Sequence, residues 1–421
     1  MKKYNLAVLG GGFAGVAAAI SAARSGLSVL LVERGNCLGG AAVNGLVNPF
    51  MPNVTKTPDY QVMEKHSLSQ GLFLEIVEEL RKLNAVRGAV PTEFHEEYLK
   101  IVLNRMVLGA GAELLFHSYL FEAQAEGGRI QSVTVANKSG RQRIEADYFI
   151  DATGDADLAA LAGCPYRVGR ERDGLCQPMT LCFRVANVDI DKYKASRPMI
   201  NDLYKKMRAE GKIKNVREDV LIFHNLVGNV LHFNSTRVVK HNPVDAFDLT
   251  RAEIDAREQV LELFTFMREN IDGFQNSDLV MTATAIGVRE SRMIDGEYVL
   301  TGEDLVACKR FEDSIALGNY DIDIHNPEGS GTSHYYFPEG KYYTIPYRSL
   351  VPLGVSNLLV AGRCVSATHE AQASIRIMPI VCCLGEAAGT AVAVAAGDGS
   401  PMNRVDVKKL QERLKAQGAA F

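Results

Sequence analysis

The chain has 421 residues, 47% of them apolar and 23% charged, and a net charge of −4. That length allows two or three domains with sizeable cores, and the composition is that of a globular protein, not a disordered or fibrous one. With no basic excess and no Lys/Arg-rich run, nucleic acid is set aside as a partner.

Residues 4–9 (YNLAVL) form a short apolar run that predicts a buried strand. Gly10 to Gly15 follow as G-x-G-x-x-G, and residues 16–24 predict a small-residue helix. A second apolar run at 28–32 ends on Glu33, eighteen residues after Gly15. Each part has a physical task. Gly10 permits a tight turn, Gly12 lets a pyrophosphate approach the backbone, and Gly15 lets helix and strand pack closely. The free N–H groups of the helix start hold phosphate. A carboxylate at Glu33 accepts from ribose hydroxyls and disfavours a 2′-phosphate, so NADP is the least favoured dinucleotide. In this strand–turn–helix–strand–acid context the glycine pattern is far stronger than alone. The first residues also imitate a secretory signal, with two lysines and an apolar stretch. Cleavage would remove the nucleotide turn, so the expectation is mature, cytoplasmic sequence. No other run approaches the roughly eighteen uninterrupted apolar residues of a membrane helix.

Arg34, Gly39, Gly40 and Ala42 come next, the paired glycines again suiting a close backbone approach. Residues 44–52 read as a loop along a ligand and 53–70 as a polar surface excursion. Helices are predicted over 72–84 and 94–109, the second with Tyr98, Ile101, Val102, Arg105 and Met106 on one face. Residues 113–121, which include Leu120, predict a strand. Residues 131–137 and 141–146 predict a hairpin. A strand at 147–150 runs into Asp151-Ala152-Thr153-Gly154 and a helix from Leu158, a second strand–glycine–helix junction.

From about residue 165 the pattern changes to mixed strands and helices. It includes a long helix over 249–271 with Ile254, Val260, Leu261 and Phe264 on its apolar side. Arg289 and Arg292 fall at i and i+3, one face if the segment is helical. Asn234, Thr236 and Arg237 end a predicted strand. Five tyrosines (335, 336, 342, 343 and 347) suit either a lid or plain packing with wet tips. The end of the chain returns to the first pattern: a buried strand at 357–361, then Gly362-Arg363, then a small-residue helix opened by Pro379. A short amphipathic helix at 405–415 closes it. The eight cysteines include no C-x-x-C, so reduced thiols are expected and no metal or iron–sulfur motif is found. Cys37 reads as a packing thiol.

These pieces resemble the FAD-dependent oxidoreductases that group with fumarate reductase/succinate dehydrogenase flavoproteins and the flavin subunit of heterodisulfide reductase. The resemblance rests on GGGFAGVAAA (10–19), ERGNCLGG (33–40), DATGDADLAALAG (151–163), IGVRESRMIDGEYVL (286–300) and NLLVAGRCVSATHEAQASIRIMPIVCCLGEAAGTA (357–391). The last two are the more specific. It implies a Rossmann-like α/β FAD-binding domain of the glutathione-reductase-like class, over 1–164 and 355–421, with an inserted α+β substrate domain over 165–354. It implies FAD as cofactor, held by Gly10, Gly12, Ala14 and Gly15 at the pyrophosphate and Glu33 at the ribose. Arg34, Gly39, Gly40, Ala42 and Leu120 are further candidate contacts, and Ala152, Thr153 and Gly154 pass on the adenosine side. Gly362 and Arg363 would touch the pyrophosphate and ribityl chain. The helix at Pro379 would point its positive end at the flavin N1/C2=O edge, where reduced flavin is negative.

A second dinucleotide fingerprint is absent, so the expected partner is a small molecule bound in the middle domain, exchanging a hydride at flavin N5. His369, Arg376 and Arg289 are the candidate catalytic residues. Fumarate reductases carry a His and an Arg near the first two that bind substrate carboxylate, at a different spacing. The expected function is hydride transfer between flavin and a polar or anionic small molecule, with an unidentified electron acceptor or donor and possible homo-oligomers. Two alternatives stand: reduction of an activated C=C bond, or an electron-relay subunit of a larger complex. No membrane partner is expected.

Overall fold

The structure, a computed structural model, describes residues 3–55, 67–88 and 92–421. Most of the expected excursion at 53–70 therefore lies outside the described residues. A seven-stranded sheet organises the first half. Glu113–Leu115, Val29–Val32, Lys3–Leu9 and Gly140–Asp151 lie side by side in parallel, and Leu358–Val360 pairs with the far edge of Gly140–Asp151. The twelve residues of Gly140–Asp151 serve two partners. The first part pairs antiparallel with Arg129–Asn137, which pairs in turn with Tyr119–Glu126. Leu6 to Leu9 and Val29 to Val32 are buried without alternation, as strands covered on both faces must be.

Two helices cover one face, Phe13–Arg24 and Met378–Asp398. Both are apolar nearly all round, and Met378 to Ala395 is buried without a break, the signature of a core helix. They touch through their smallest residues. A Cβ at Gly385 would sit 2.0 Å from the Ala14 carbonyl oxygen, and one at Gly389 2.2 Å from that of Ala18. The contacts advance together along both helices, so the helices run in the same direction and their N-termini face the same edge of the sheet. Met378–Asp398 is long and apolar enough to cross a membrane by length and composition, but 89% of that window is buried inside the protein.

A second, four-stranded antiparallel sheet runs Ile222–His224, Leu231–Phe233, Phe183–Ala186, Asp278–Thr282. The helices Ile190–Ala209 and Ala246–Asn270 build a core with it that includes Phe183, Phe233, Tyr193, Tyr204 and Met267. That core stays within residues 179–286, apart from Leu46. Leu300, Ile315, Tyr343, Ile345 and Leu350 pack into the first core instead. A buried ion pair joins the two units: Arg184 from the second sheet donates to both carboxylate oxygens of Glu96, at the start of helix Glu96–Gly109.

Local structure departs from expectation where periodicity was ambiguous. In Ala246–Asn270 the inward stripe is Ala252, Ala256, Val260, Leu263 and Met267; Ile254 and Leu261 are each 56% exposed. In Glu96–Gly109 the buried face is Leu99, Val102, Leu103, Met106 and Val107, and Tyr98 and Ile101 point outward. The strand expected at 113–121 breaks at His117, whose φ of 51° is left-handed, a conformation no strand holds. Residues 286–291 are not helical, so Arg289 and Arg292 do not share a helix face. Arg292 turns to Asp157 and the Asp155 carbonyl, over the Tyr166 ring.

Candidate functional site

The glycines of the first turn divide by function. Gly10 has φ +104° and its Cβ would lie 2.3 Å from the Ala152 carbonyl oxygen; a Cβ on Gly15 would lie 1.8 Å from that of Gly10. Both are glycine because the chain's own backbone occupies the space. Gly12 differs: the nearest atom to its missing Cβ is the Gly40 Cα at 3.9 Å. Its φ of −71° and ψ of −178° are open to any residue. The space in front of Gly12 is kept for something outside the chain. Helix Phe13–Arg24 opens there with no side-chain cap, leaving N–H groups free for an anion. Gly39 donates its N–H to the Gly11 carbonyl at 2.8 Å. A Cβ on Gly40 would meet the Gly12 Cα at 2.9 Å. The second glycine pair therefore packs on the phosphate turn itself.

Glu33 is buried. Its Oε2 accepts from the Gly11 N–H and its Oε1 from the Gly35 N–H, each at 2.7 Å. With Leu9, Gly10, Val32, Arg34, Ser118, Tyr119, Leu120, Thr153 and Asp157 it lines one pocket. Glu33, Arg34, Leu120 and Thr153, distant in sequence, are thus brought together around a space suited to an adenosine. Ala14, Ala42 and Ala152 are buried in the surrounding wall.

At the second junction Asp151 accepts from the Thr153 N–H and hydroxyl, at 3.0 and 2.7 Å, and from the Ala159 N–H at 2.9 Å. Complete burial pushes its carboxyl up to about 6 in spite of them. Gly154, at φ +82°, faces the Arg363 guanidinium. Arg363 pairs with Asp155 and donates to the Val288 carbonyl at 2.6 Å. Its Nε is buried without a partner. Gly362 takes φ +109° beside Ala14. Pro379 stands in the first turn of Met378–Asp398, which also lacks a side-chain cap. Two uncapped helix starts, a buried acid lining a pocket and an open Gly12 fit an extended dinucleotide.

Beyond that cleft lies a cluster of arginines. Arg289 donates through one Nη to the Pro178 carbonyl and the Thr180 hydroxyl, both at 2.6 Å. Among the described residues no carboxylate lies within ion-pair distance of it. Burial pulls its guanidinium down to about 9, with the charges of Arg376, Arg217 and Arg237 adding to the effect. Arg376 ends helix His369–Ile375 and leans on Asp323 at 3.5 Å; its Nε is buried and unpartnered. Arg237 pairs with Glu218 at 3.0 Å and donates to His325 Nδ1 at 3.0 Å. Guanidinium only donates, so His325 accepts at Nδ1 and keeps its proton on Nε2, 3.4 Å from Asp323. Burial, then the charge of Arg289, pulls His325 down to about 3, and it is neutral. Burial raises Asp323, but the His325 hydrogen bond and the charges of Arg376 and Arg289 outweigh it and hold the carboxyl well below its usual range.

His369 opens helix His369–Ile375. Its Nδ1 lies 2.8 Å from Glu290 Oε1, Glu290 is wholly buried, and Nε2 has no partner among the described residues. Of the residues the sequence suggested, Arg289, Arg376 and Arg237 meet in one cluster, while Thr236 bonds to the backbone at Leu181. The tyrosines divide: Tyr343 and Tyr347 are buried and bonded to Ser374 and the Met402 carbonyl, while Tyr336 is exposed. Sequence reasoning missed Asp323, His325, Thr180, Gln177 and the part played by Glu290. Asp323, His325, Thr180 and Gln177 stand in no motif; Glu290 lies in the 286–300 stretch, a lone acid between two arginines, and was the one available signal.

The parallel sheet, its two uncapped helix starts and the acid-lined pocket define a dinucleotide-binding enzyme. The chain belongs to the FAD dependent oxidoreductase family, whose model matches residues 5–414. FAD is its cofactor, and it is an oxidoreductase. Digeranylgeranylglycerophospholipid reductase 2 of Methanothermobacter thermautotrophicus is 29% identical over 196 residues, which is 45% of this chain and 48% of that protein. The match thus spans about half the length of that curated relative. Among solved structures, a geranylgeranyl bacteriochlorophyll reductase-like protein of Thermoplasma acidophilum matches with a TM-score of 0.48 and 12% identity, covering 99% of this chain and 83% of that one. A p-nitrophenol 4-monooxygenase of Pseudomonas putida matches with a TM-score of 0.48 and 10% identity, covering 98% and 84%.

Proposed function

We propose that this enzyme transfers a hydride between flavin N5 and a polar or anionic small molecule anchored at Arg289 and Arg376. The observation that carries the reading is Arg289, a recessed cation with no carboxylate at ion-pair distance among the described residues. Such a charge is costly unless something neutralises it, and a substrate anion does so. Gly12, Glu33, Arg363 and the uncapped start of Met378–Asp398 would hold FAD, which supplies the two-electron centre when bound. Arg289 orients the anion, Arg376 stands beside it with Asp323 limiting the positive charge, and His369 moves a proton at Nε2. An electron acceptor or donor completes the cycle. We read the second core as a cap on a glutathione-reductase-like FAD domain. Its confinement to residues 179–286 favours a cap narrower than 165–354. The eight free cysteines accord with a reducing cytoplasm.

A second reading, reduction of an activated C=C bond conjugated to a carboxylate, uses the same anion and proton groups and is favoured by the same arginines. Anaerobic mixing of holoenzyme with hydroxy acids, amines, sugars and enoates separates the two. Acids that bleach the oxidised flavin support the first, and enoates that reoxidise the reduced flavin support the second. Neutral sugars acting as well as acids, with no loss in Arg289→Met, refutes both. His369→Ala should retain FAD and slow flavin reduction on the order of 10²-fold or more.

A further inference from the structure

Resting on the reading of His369 as the proton-moving group, we propose that Glu290 is its positioning residue, holding the imidazole proton on Nδ1 and leaving Nε2 free to exchange a proton with a substrate. The geometry is specific. Glu290 Oε1 meets His369 Nδ1 at 2.8 Å, and its Oε2 accepts the Gln177 N–H at 2.8 Å. A carboxylate oxygen accepts, so Nδ1 donates, and both Glu290 oxygens are fixed by donors. His369 Nε2 has no partner among the described residues, and it is not one of the polar atoms sealed unpartnered in the packing.

The support continues behind Glu290. Gln372 follows His369 by three residues on the same helix face and donates to the Arg289 carbonyl at 2.8 Å. The Gln177 side chain donates to Gln372 Oε1 at 3.2 Å and accepts the His325 N–H at 3.4 Å. One short helix therefore grips two adjacent residues, Arg289 by its backbone and Glu290 by its side chain. The anion anchor and the proton-moving ring are set at fixed positions by the same network. This also explains why stretches 286–300 and 357–391 carry matching polar residues: they form two halves of one support. A base oriented by a buried acid is the arrangement expected of an activated acid–base group; a plain structural pair is the alternative.

The two differ in what Glu290→Gln does. The Gln177 N–H can only donate, so the amide oxygen of the new side chain turns to it. The amide NH2 then faces His369 Nδ1, which must accept, and the ring proton moves to Nε2. The test is nitrogen NMR of the FAD-loaded protein labelled with 15N-histidine, His369 being assigned by its loss in His369→Asn. The expected result is a protonated Nδ1 in the wild type and transfer of that proton to Nε2 in Glu290→Gln, with flavin absorbance and melting retained. An Nε2–H tautomer in the wild type overturns the proposal without reference to any variant, and so does a Glu290→Gln protein that keeps Nδ1–H. Flavin reduction in His369→Asn at the wild-type rate overturns the acid–base reading itself, so the two failures are distinguishable.

Discussion

Gly12→Val separates cofactor binding from folding more cleanly than any other change in the first turn. The backbone at Gly12 is extended and accepts a β-branched residue without strain. The valine side chain enters space whose nearest protein atom, the Gly40 Cα, is 3.9 Å from the new Cβ. Folding stability should therefore stay within roughly 0.5 kcal/mol. The pyrophosphate, however, loses its approach to the helix start. Each charge-assisted N–H to phosphate bond contributes about 1.5–3 kcal/mol, so losing two costs about 3–6 kcal/mol, roughly a 10²- to 10⁴-fold weaker Kd for FAD. Gly15→Ala is the contrast. Its Cβ would sit 1.8 Å from the Gly10 carbonyl oxygen, so it should unfold the turn whether or not FAD is present. The assay is fluorescence titration of apoprotein with FAD, beside thermal unfolding of the apo forms. A Gly12→Val protein that binds FAD within tenfold of wild type, or melts as early as Gly15→Ala, would refute the division of roles among these glycines.

Three further outcomes are expected. Glu386, buried in helix Met378–Asp398 and accepting the Leu72 N–H at 3.2 Å, is raised by burial from 4.5 to about 7. A raised carboxyl stabilises the fold fully below its unfolded value and loses that contribution as pH rises through its folded value. Melting should thus fall between about pH 5 and 8 in the wild type, and Glu386→Gln should remove roughly 3 kcal/mol of that decline; parallel pH curves for the two proteins would show that Glu386 does not titrate. Arg289→Met deletes an unpaired recessed cation, so calorimetry at neutral pH should show a gain of about 1–4 kcal/mol, while flavin bleaching loses its preference for carboxylates. Gly385→Ala places a methyl carbon 2.0 Å from the Ala14 carbonyl oxygen; forcing the two helices apart should cost about 1–3 kcal/mol or more in denaturant unfolding and weaken FAD binding, since both helix starts shift.

How much of this was legible in the sequence depends on how far apart the causes lie. The first turn was legible because its constraints are local. Gly15 answers to the Gly10 carbonyl in the same turn, Gly12 to a phosphate at that turn, and Glu33 ends the next strand; only the Ala152 carbonyl against Gly10 comes from far along the chain. The reason for Gly40 was not legible, since it is the phosphate turn lying against it, and Gly39 is set by its φ of +114° and the Val43 side chain. The helix faces failed for a different reason. Ile254, Leu261, Tyr98 and Ile101 are apolar residues on solvent faces, and an amphipathic pattern with apolar residues on both sides has no unique inward stripe. The arginine cluster was least legible. Arg237, Arg289 and Arg376 come from three separate irregular segments, and Asp323 and His325 from one short strand. Each arginine contributes a single side chain, so no spacing announces them.

Arg289 shows why that order of legibility follows from function. A folding constraint must agree with neighbouring residues, and agreement leaves a pattern. Arg289 disagrees with its surroundings: it sits among Arg217, Arg237 and Arg376, with burial and like charges both working against its protonation. Among the described residues its compensation is a carbonyl, a hydroxyl and the charge of Asp323, which lies beyond ion-pair distance and does not outweigh burial and the three arginines. Stability alone would favour an apolar side chain there, which is the content of the Arg289→Met prediction. The residue makes energetic sense only with an anion in place, and an absent ligand leaves no periodicity in a chain. If Arg289→Met proves less stable than wild type without any ligand, the guanidinium is a structural tie and the anion reading loses its foundation. If it proves more stable while losing its preference for acids, the same substitution measures both the cost of the site and its purpose.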